Sequence, residues 1–343
     1  MLSEKQISQI KEELDSCKNP LIFYHDDPDG LCSYLLFYRY LKEGHGIPVK
    51  STPKVDDKFL NKVEEYSPDK IFILDIAMLE ESFVKAVHVP IIWIDHHDPS
   101  DMRGIKYFNP RTNDLSYNIP VSQVCYDVVK QDLWIAMIGI SGDWIYSEYN
   151  EEFAKQYPDL LPSGITSPPK VLFETKLGVL SQVFDFCLKG KTSTVQKCIK
   201  AIIQIKSPYE ILNQETPQGK AIWERYAEIK EDYDGILNEV LAQKNDGKLI
   251  VFTYPDNNMS FTGGLSNEML YRFPESIIVL GRIKNGTVRC SMRSPPTVDL
   301  KKILAEALQG VEGFGGGHEH ACGCSVKVED WELFVENVKK QVS

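Results

Sequence analysis

The sequence predicts an α/β protein whose N-terminal part is a mostly parallel sheet with helices on both faces. Short apolar runs alternate with helix-length mixtures of polar and apolar residues, which is the order of βαβ units. The apolar runs are continuous, as expected of strands that are buried on both faces. The length of 343 residues suits two domains, since one domain typically has about 100–200 residues.

The N-terminal elements follow one another in a regular order. Ser3 and Gln6 have the spacing of a capping box and predict a first helix over residues 4–16. A helix over residues 31–44 should follow the first strand and end at Gly44. The predicted strands are residues 20–25, 47–51, 70–75 and 89–95. Residues 120–141 predict one or two buried helices, and residues 149–243 are mostly helical, with a loop at 161–170.

A long polar helix over residues 216–242 precedes a change of pattern. Asn245, Asp246 and Gly247 form a turn signal, and a second, smaller α/β domain follows it. We expect an N-terminal domain over residues 1–215, a helical linker over 216–246 and a C-terminal domain over 247–343. The C-terminal strands are predicted at 248–254, 276–283, 287–294 and 321–328, and the helices at 266–273, 299–308 and 330–340.

Charge and composition exclude several classes of protein. The net charge is −11, yet residues 247–343 carry 11 basic and 11 acidic residues, so the acidity lies in the N-terminal part. A protein that wraps long DNA usually has a basic surface, whereas a small phosphate-bearing substrate or a divalent cation fits this balance. Solubility alone also explains an acidic chain. No apolar run reaches membrane-spanning length, the N-terminus has no signal core, and no cysteines form a CxxC pair. We therefore expect a cytoplasmic protein with reduced thiols and no membrane contact.

Acidic and imidazole side chains follow the predicted buried segments of the N-terminal domain. They are His25, Asp27 and Asp29 after the first strand, Asp75 after the third, Asp95, His96 and His97 after the fourth, and Asp143 after the buried helix. The carboxyl ends of parallel strands share one edge of a sheet, so these clusters should converge. Taken alone, Asp75 or Asp143 is better explained as a cap or turn residue than as a ligand. Together the four clusters favour a functional site.

The chemistry of the cluster favours divalent cations. Neighbouring carboxylates repel one another unless they are protonated or neutralised. Carboxylates and imidazoles without a thiolate favour Mn²⁺ or a similar ion over structural zinc. The ligands outnumber the needs of one ion, which predicts two ions about 3.5–4 Å apart, an arrangement suited to displacement at phosphorus.

These residues carry a family resemblance that covers nearly the whole chain. The pattern of His25-x-Asp27-x-Asp29-Gly30-x-x-Ser33, Asp75, Asp95-His96-His97 and Gly142-Asp143 resembles the four motifs of the DHH phosphoesterase superfamily, which includes RecJ. VRCSMRS (288–294) and GFGGGHEHACG (313–323) resemble the basic strand and the GGGH loop of the DHH-associated C-terminal domain found in RecJ-type exonucleases and nanoRNases.

The resemblance implies a role for each residue of the cluster. His25 and Asp27 would hold one Mn²⁺, Asp29, His96 and Asp143 the other, and Asp75 would bridge the two; Mg²⁺ is the alternative ion. His97 would face the scissile phosphate, with Asp95 fixing the orientation of its neighbours.

The C-terminal domain is expected to bind the substrate, in an active-site cleft between the two domains. Arginine can hold phosphate with two hydrogen bonds, and a glycine run lets backbone N–H groups approach a phosphate. The predicted substrate-binding residues are Arg289, Ser291, Arg293, Ser294, Gly315, Gly316, Gly317 and His318. A solvated strand face and a flexible loop are the alternatives when these motifs are considered alone.

The favoured function is an Mn-dependent phosphodiesterase, a nanoRNase-like or RecJ-like exonuclease that degrades short single-stranded RNA or DNA to mononucleotides. Alternatives are hydrolysis of phosphoadenosine phosphate or of linear or cyclic dinucleotides, and hydrolysis of pyrophosphate or polyphosphate, against which the GGGH motif counts. A non-catalytic replication scaffold of the Cdc45 type is a further alternative, against which the intact ligand set argues. Residues 149–243 match no motif and could shape the cleft or build a homodimer.

Overall fold

The computed structural model describes residues 1–50, 54–243, 247–256 and 259–342. The predicted turn at Asn245 and Asp246, and Ser51 at the end of the second predicted strand, lie outside these ranges. The chain divides into two compact units, one of Met1–Leu188 with Ser193–Glu224, the other of Lys189–Thr192 with Arg225–Ser343. The division falls inside the long helix, which is observed over Pro217–Ala242.

The first unit is built on a parallel sheet. Its described strands are β1 (Pro20–His25), β2 (His45–Val49), β3 (Lys54–Val55), β4 (Lys70–Leu74), β5 (Met78–Leu79), β6 (Ile91–Ile94) and β7 (Lys106–Phe108). The main sheet has the order β2-β1-β4-β6-β7, and every neighbouring pair in it is parallel. The short strands β3 and β5 form a separate parallel pair. The predicted parallel α/β architecture is confirmed.

Helices cover both faces of this sheet. The described helices up to residue 242 are α1 (Glu4–Asp15), α2 (Pro28–Leu41), α3 (Leu60–Tyr66), α4 (Glu81–Ala86), α5 (Val121–Val129), α6 (Leu133–Gly142), α7 (Asn150–Gln156), α8 (Pro168–Glu174), α9 (Lys176–Cys187), α10 (Thr192–Gln204), α11 (Pro208–Leu212) and α12 (Pro217–Ala242). Phe23 of β1 packs edge-on against Phe83 of α4, whereas Phe72 of β4 packs against Phe37 of α2. Consecutive strand residues are buried on opposite faces, which explains the continuous apolar runs. None of the described helices is long and apolar enough to cross a membrane.

One boundary difference concerns α2, which begins at Pro28 rather than at residue 31. The side chain of Asp27 accepts a hydrogen bond from the N–H of Gly30 (2.9 Å) and caps the helix, and proline is favoured in the first helical turn. The helix ends at Leu41, followed by Lys42 in the left-handed region (φ 60°). The predicted loop at 161–170 is also shorter, because residues 168–170 belong to α8. The strand β7, which has only three residues, was too short to predict.

The second unit is a smaller α/β domain with a mixed sheet. Its described elements are β8 (Leu249–Pro255), α13 (Thr262–Arg272), β9 (Ile277–Lys284), β10 (Thr287–Arg293), α14 (Leu300–Ala307), β11 (Gly313–His318), β12 (Ala321–Lys327) and α15 (Trp331–Val342). The sheet order is β11-β12-β10-β9-β8, with β8 and β9 parallel and the other pairs antiparallel. Alternate residues of β10 and β12 are buried in a core with α14 and α15.

Residues 313–318, predicted as a loop, instead form the edge strand β11. Two glycines permit the close approach to β12: a Cβ on Gly315 would lie 2.7 Å from the Cβ of Cys324, and Gly317 has a φ of 146° that other residues rarely adopt. The glycine run is therefore needed for the pairing of β11 with β12, whether or not it also contacts a ligand.

Candidate metal centre and active site

The parallel sheet brings the predicted cluster to one edge. His25 is the last residue of β1, and Asp75 and Asp95 directly follow β4 and β6, which are neighbours in the sheet. Asp27 caps the start of α2 and Asp143 the end of α6. The side chains therefore converge because parallel strands end at a common edge.

Three overlapping groups in this cluster have ligand atoms close enough to share a cation. In each group the ligand atoms lie within 4.8 Å of one another. The groups are His25, Asp27 and Asp75; Asp29, His96 and Asp143; and Asp75, His96 and His97. The first two are the two ligand trios that the resemblance implies.

Asp75 belongs to the first trio and also faces His96 of the second. Its Oδ2 is 3.3 Å from Nδ1 of His25, and its Oδ1 is 3.3 Å from Nε2 of His96. His25 Nδ1 is also 2.7 Å from Asp27 Oδ2, and His96 Nε2 is 3.4 Å from Asp143 Oδ2. The two oxygens of one carboxylate thus face different trios, which is the geometry that a bridging ligand requires.

Asp75 is held in an unusual state. It is 1% exposed, its φ is +56°, and within the described residues neither carboxylate oxygen has a hydrogen-bond partner. Burial raises the pKa of Asp75, but His25 and His96 outweigh this effect and hold the pKa below its usual value. A buried, ionised carboxylate that faces two imidazoles is well placed to share a cation with them, and a backbone at positive φ is typical of functional sites.

The remaining carboxylates also fit a cation. Burial and then the charge of Asp75 raise the pKa of Asp29 to about 7. Burial and then the charge of Asp29 raise the pKa of Asp143 well above its usual value. The cluster would therefore take up protons to relieve its repulsion, and divalent cations would relieve it as well. We conclude that the donor set fits divalent metal ions.

Asp29 has a second task that the sequence did not predict. It is fully buried, and its carboxylate accepts hydrogen bonds from the N–H groups of Val121 (2.8 Å) and Ser122 (2.9 Å) and from the hydroxyl of Ser122. These donors belong to the first turn of α5, so Asp29 joins α5 to α2. A partner more than 90 residues away leaves no local sequence signal.

Asp95 fixes the orientation of His97. Asp95 is fully buried, its Oδ1 lies 2.7 Å from Nδ1 of His97, and its Oδ2 accepts the backbone N–H of His97 (3.0 Å). Burial lowers the pKa of His97, but Asp95 outweighs it and raises the pKa overall. With Nδ1 engaged, Nε2 remains for a ligand. Asn109, also missed by sequence reasoning, donates to the carbonyl of His97 (3.0 Å) and steadies this segment.

Asn118 also contacts the cluster and was not predicted from the sequence. Its Oδ1 lies 3.1 Å from Nδ1 of His96. A carboxamide oxygen only accepts, so Nδ1 carries a hydrogen and Nε2 is the nitrogen that lies on the side of Asp75 and Asp143. Asn118 thus orients the His96 ring with Nε2 towards the other residues of its candidate ligand trio.

Replacing Asn118 with alanine is expected to weaken Mn²⁺ binding about tenfold, because residues that orient a ligating histidine commonly contribute about 10–100-fold to affinity. Isothermal titration calorimetry with Mn²⁺ measures this directly. Asn113→Ala, an exposed position in the same segment, is the matched control and should leave the affinity unchanged. Unchanged Mn²⁺ affinity in Asn118→Ala would show that the hydrogen bond to His96 has no role in metal binding.

In the second unit, the strand register shows which of the predicted substrate-binding residues lie on the same face of the sheet. Arg289, Ser291 and Arg293 of β10 share one face with Gly316 and His318 of β11, because Gly323 and Ala321 of β12 pair with both strands. The opposite face is the buried core. Phe314, 76% exposed, also lies on the arginine face.

Three of the predicted substrate-binding residues do not share this face. Gly315 and Gly317 occupy the core-facing positions of β11, where Gly315 contacts Cys324. Ser294 is 1% exposed, and its hydroxyl donates to the carbonyl of Val298 (2.9 Å). The predicted substrate-binding side chains that lie on this face are therefore Arg289, Ser291, Arg293 and His318.

Two models of known families match the chain. The model of the DHH family N-terminal domain matches residues 19–165, and the model of the DHHA1 domain matches residues 239–343. Together these matches cover most of the chain, which therefore belongs to the DHH phosphoesterase superfamily. Members of this family are typically metal-dependent phosphoesterases or nucleases.

Solved structures show the same fold at low sequence identity. RecJ in complex with Mn²⁺ from Thermus thermophilus matches with a TM-score of 0.70 and 15% identity, over 98% of this chain and 54% of that chain. This chain thus spans about half the length of that RecJ. A pGpG-specific phosphodiesterase from Vibrio cholerae matches with a TM-score of 0.50 and 16% identity, over 95% of this chain and 99% of that chain. Cdc45 from Entamoeba histolytica matches with a TM-score of 0.51 and 12% identity, over 98% of both chains. No curated protein sequence matches the chain.

Proposed function

We propose that the protein is an Mn²⁺-dependent phosphodiesterase that hydrolyses short single-stranded oligonucleotides, down to dinucleotides, to mononucleotides. The observation that carries the proposal is the pair of ligand trios that meet at Asp75. Two adjacent divalent ions suit displacement at a phosphodiester because they stabilise charge on both the attacking and the leaving oxygen and lower the pKa of water.

In this proposal the residues of the cluster bind metal and contact the phosphate, and residues of the second unit bind the substrate. His25 and Asp27 would hold one ion and Asp29, His96 and Asp143 the other, and Asp75 would contribute to both. Nε2 of His97 is oriented by Asp95 and donates to a phosphoryl oxygen as negative charge builds on it. Arg289, Ser291, Arg293 and His318 bind the phosphate and sugar of the substrate end.

Two observations favour short substrates. Residues 247–343 have equal numbers of acidic and basic residues, so the unit that binds substrate lacks the positive excess with which proteins hold long nucleic acid. The Vibrio cholerae relative is a phosphodiesterase specific for the dinucleotide pGpG. Linear dinucleotides therefore belong to the proposed substrates.

A panel of substrates tests the proposal. The protein with Mn²⁺ is incubated with end-labelled RNA and DNA of about 2–24 nucleotides, cyclic dinucleotides, phosphoadenosine phosphate and pyrophosphate. We expect mononucleotide release, fastest with the shortest oligomers. Activity restricted to pyrophosphate, or absence of turnover on every substrate with metal bound, would contradict the proposal. Mg²⁺ in place of Mn²⁺ tests the metal preference.

A non-catalytic scaffold is the second candidate, because the fold is shared with Cdc45. The two candidates differ in their need for metal. A scaffold has no reason to keep a buried carboxylate with unsatisfied oxygens between two histidines. The ligand cluster therefore favours the enzyme.

Metal removal should lower stability measurably. Ions that bind only the folded state stabilise it by RT ln(1 + [L]/Kd), about 2.7 kcal/mol at a hundredfold excess over Kd. We expect Mn²⁺ to raise the melting temperature of EDTA-treated protein by several degrees in differential scanning fluorimetry. Ca²⁺ at the same concentration should have a smaller effect, because imidazole ligands suit Mn²⁺ better. Equal melting temperatures with EDTA and with Mn²⁺ would argue against the proposed metal centre.

A further inference from the structure

Arg293 is held by a neutral partner. Its Nε donates to Oδ1 of Asn267 on α13 (2.6 Å), and its Nη1 donates to the carbonyl of Met292 (2.9 Å). Among the described residues, no carboxylate forms an ion pair with this guanidinium within 4.0 Å. Burial lowers the pKa of Arg293 to about 10, so the side chain still carries its positive charge at neutral pH.

Two other largely buried arginines, Arg39 and Arg282, form ion pairs with aspartates. Arg39 donates from Nε (2.7 Å) and Nη2 (3.0 Å) to both oxygens of Asp132. Arg282 lies 3.2 Å from Asp256. Such pairing is the rule, because a desolvated charge without a counter-charge is costly. Arg293 departs from it.

The residue after Asn267 on helix α13 is Glu268, whose carboxylate contacts other residues and not Arg293. Glu268 pairs with Arg272 (2.6 Å) and accepts a hydrogen bond from the hydroxyl of Tyr233 (2.8 Å). Towards β10 the helix presents uncharged groups: Asn267 at Arg293, and Thr262, whose hydroxyl accepts from that of Ser291 (3.0 Å). The helix therefore hydrogen-bonds to Ser291 and Arg293, two predicted substrate-binding side chains, without placing a negative charge beside the arginine.

We propose that Asn267 is a positioning residue that fixes the Arg293 guanidinium through a neutral hydrogen bond and so leaves its charge available to a phosphate group of the substrate. The inference rests on the proposed role of Arg293 in substrate binding. An aspartate at this position would accept the same hydrogen bond, but it would neutralise the arginine and repel the phosphate.

Two substitutions separate this role from simple packing. Asn267→Asp keeps the shape and the hydrogen bond but adds a counter-charge, whereas Asn267→Ala removes the hydrogen bond and leaves the charge free. If Asn267 only packs, the aspartate variant should be the milder of the two. We expect the reverse, with binding of 5′-AMP in EDTA, measured by calorimetry, weakened about tenfold in Asn267→Asp and about threefold in Asn267→Ala, in line with the cost of introducing an opposing charge near a binding site.

Kinetics and stability give independent readouts. The KM of Asn267→Asp for a dinucleotide should rise by the same factor as the AMP dissociation constant, with kcat within about twofold of the unmodified protein. Its melting temperature should equal or exceed that of the unmodified protein, because the new carboxylate pairs with Arg293. A destabilised Asn267→Asp protein would contradict the inference, since the expected ion pair would then not have formed.

Two further variants control the experiment. Asn285→Asp adds the same charge in the exposed turn before β10, about 25 Å along the strand from Arg293, and should leave AMP binding unchanged. Arg293→Ala should weaken AMP binding. If it does not, the proposed role of Arg293 is wrong and this inference is wrong with it. If Arg293→Ala weakens binding but Asn267→Asp binds as well as Asn267→Ala or better, only the role of Asn267 is wrong.

Discussion

Replacing Asp75 with asparagine is expected to abolish turnover and to reduce the number of bound Mn²⁺ ions from two to at most one. Asp75 is the residue whose two oxygens face different ligand trios. Losing it removes a shared anionic ligand, and bound metal supplies several kcal/mol of transition-state stabilisation. We therefore expect kcat to fall by roughly a thousandfold or more, since each 1.36 kcal/mol is tenfold in rate.

Asparagine is the better substitution here than alanine. Asp75 has a φ of +56°, a conformation that asparagine tolerates and that costs other residues roughly 1–2 kcal/mol. Asparagine therefore separates the loss of the ligand from a backbone effect. Calorimetric Mn²⁺ titration and single-turnover kinetics provide the measurements, and Asp101→Asn, at an exposed position, is the control. A near-normal rate in Asp75→Asn would rule out a bridged pair of ions.

The sequence was sufficient to predict the cluster of acidic and imidazole side chains because the signal is local. Each strand of the first sheet that contributes to the cluster is a continuous apolar run that ends in an acid or imidazole, and parallel pairing alone places those ends side by side. His25, Asp75 and His96 could thus be placed together before any coordinates were known. The strands themselves lie within one or two residues of their predicted bounds at most ends.

The supporting residues could not be predicted in the same way. Asn118 lies in an irregular segment with no periodicity, and its contact with His96 depends on how that segment folds back. Asn267 lies on a helix, 26 residues before Arg293, and only the packing of α13 on β10 brings them together. The edge strand β11 was missed for a different reason, since a glycine run carries no side-chain alternation from which a strand could be recognised.

Replacing His97 with asparagine is expected to lower kcat on the order of a hundredfold while leaving Mn²⁺ affinity nearly unchanged. The two adjacent histidines have different contacts. Nε2 of His96 faces Asp75 and Asp143 at 3.3 and 3.4 Å, whereas Nδ1 of His97 is held by Asp95 at 2.7 Å and lies 3.9 Å from Asp75. A group that donates to developing negative charge commonly contributes about 10²–10³ to kcat.

The comparison of His97→Asn with His96→Asn decides between ligand and donor. Asp75, His96 and His97 form one of the three groups close enough to share a cation, so His97 could instead bind metal. If it does, both variants should lose Mn²⁺ affinity in calorimetry. If His97 acts on the phosphate, only His96→Asn should lose affinity, and His97→Asn should bind metal normally and turn over slowly.

Asp95→Asn tests the residue that orients the His97 ring. The buried carboxylate accepts from both the ring and the backbone N–H of His97, so its loss frees the ring to rotate and removes the charge that raises its pKa. We expect kcat to fall in the same direction as in His97→Asn but by less, with no further loss when the two changes are combined, because both act through one side chain. A double variant whose losses multiplied would instead give Asp95 a role of its own, separate from the histidine that it orients.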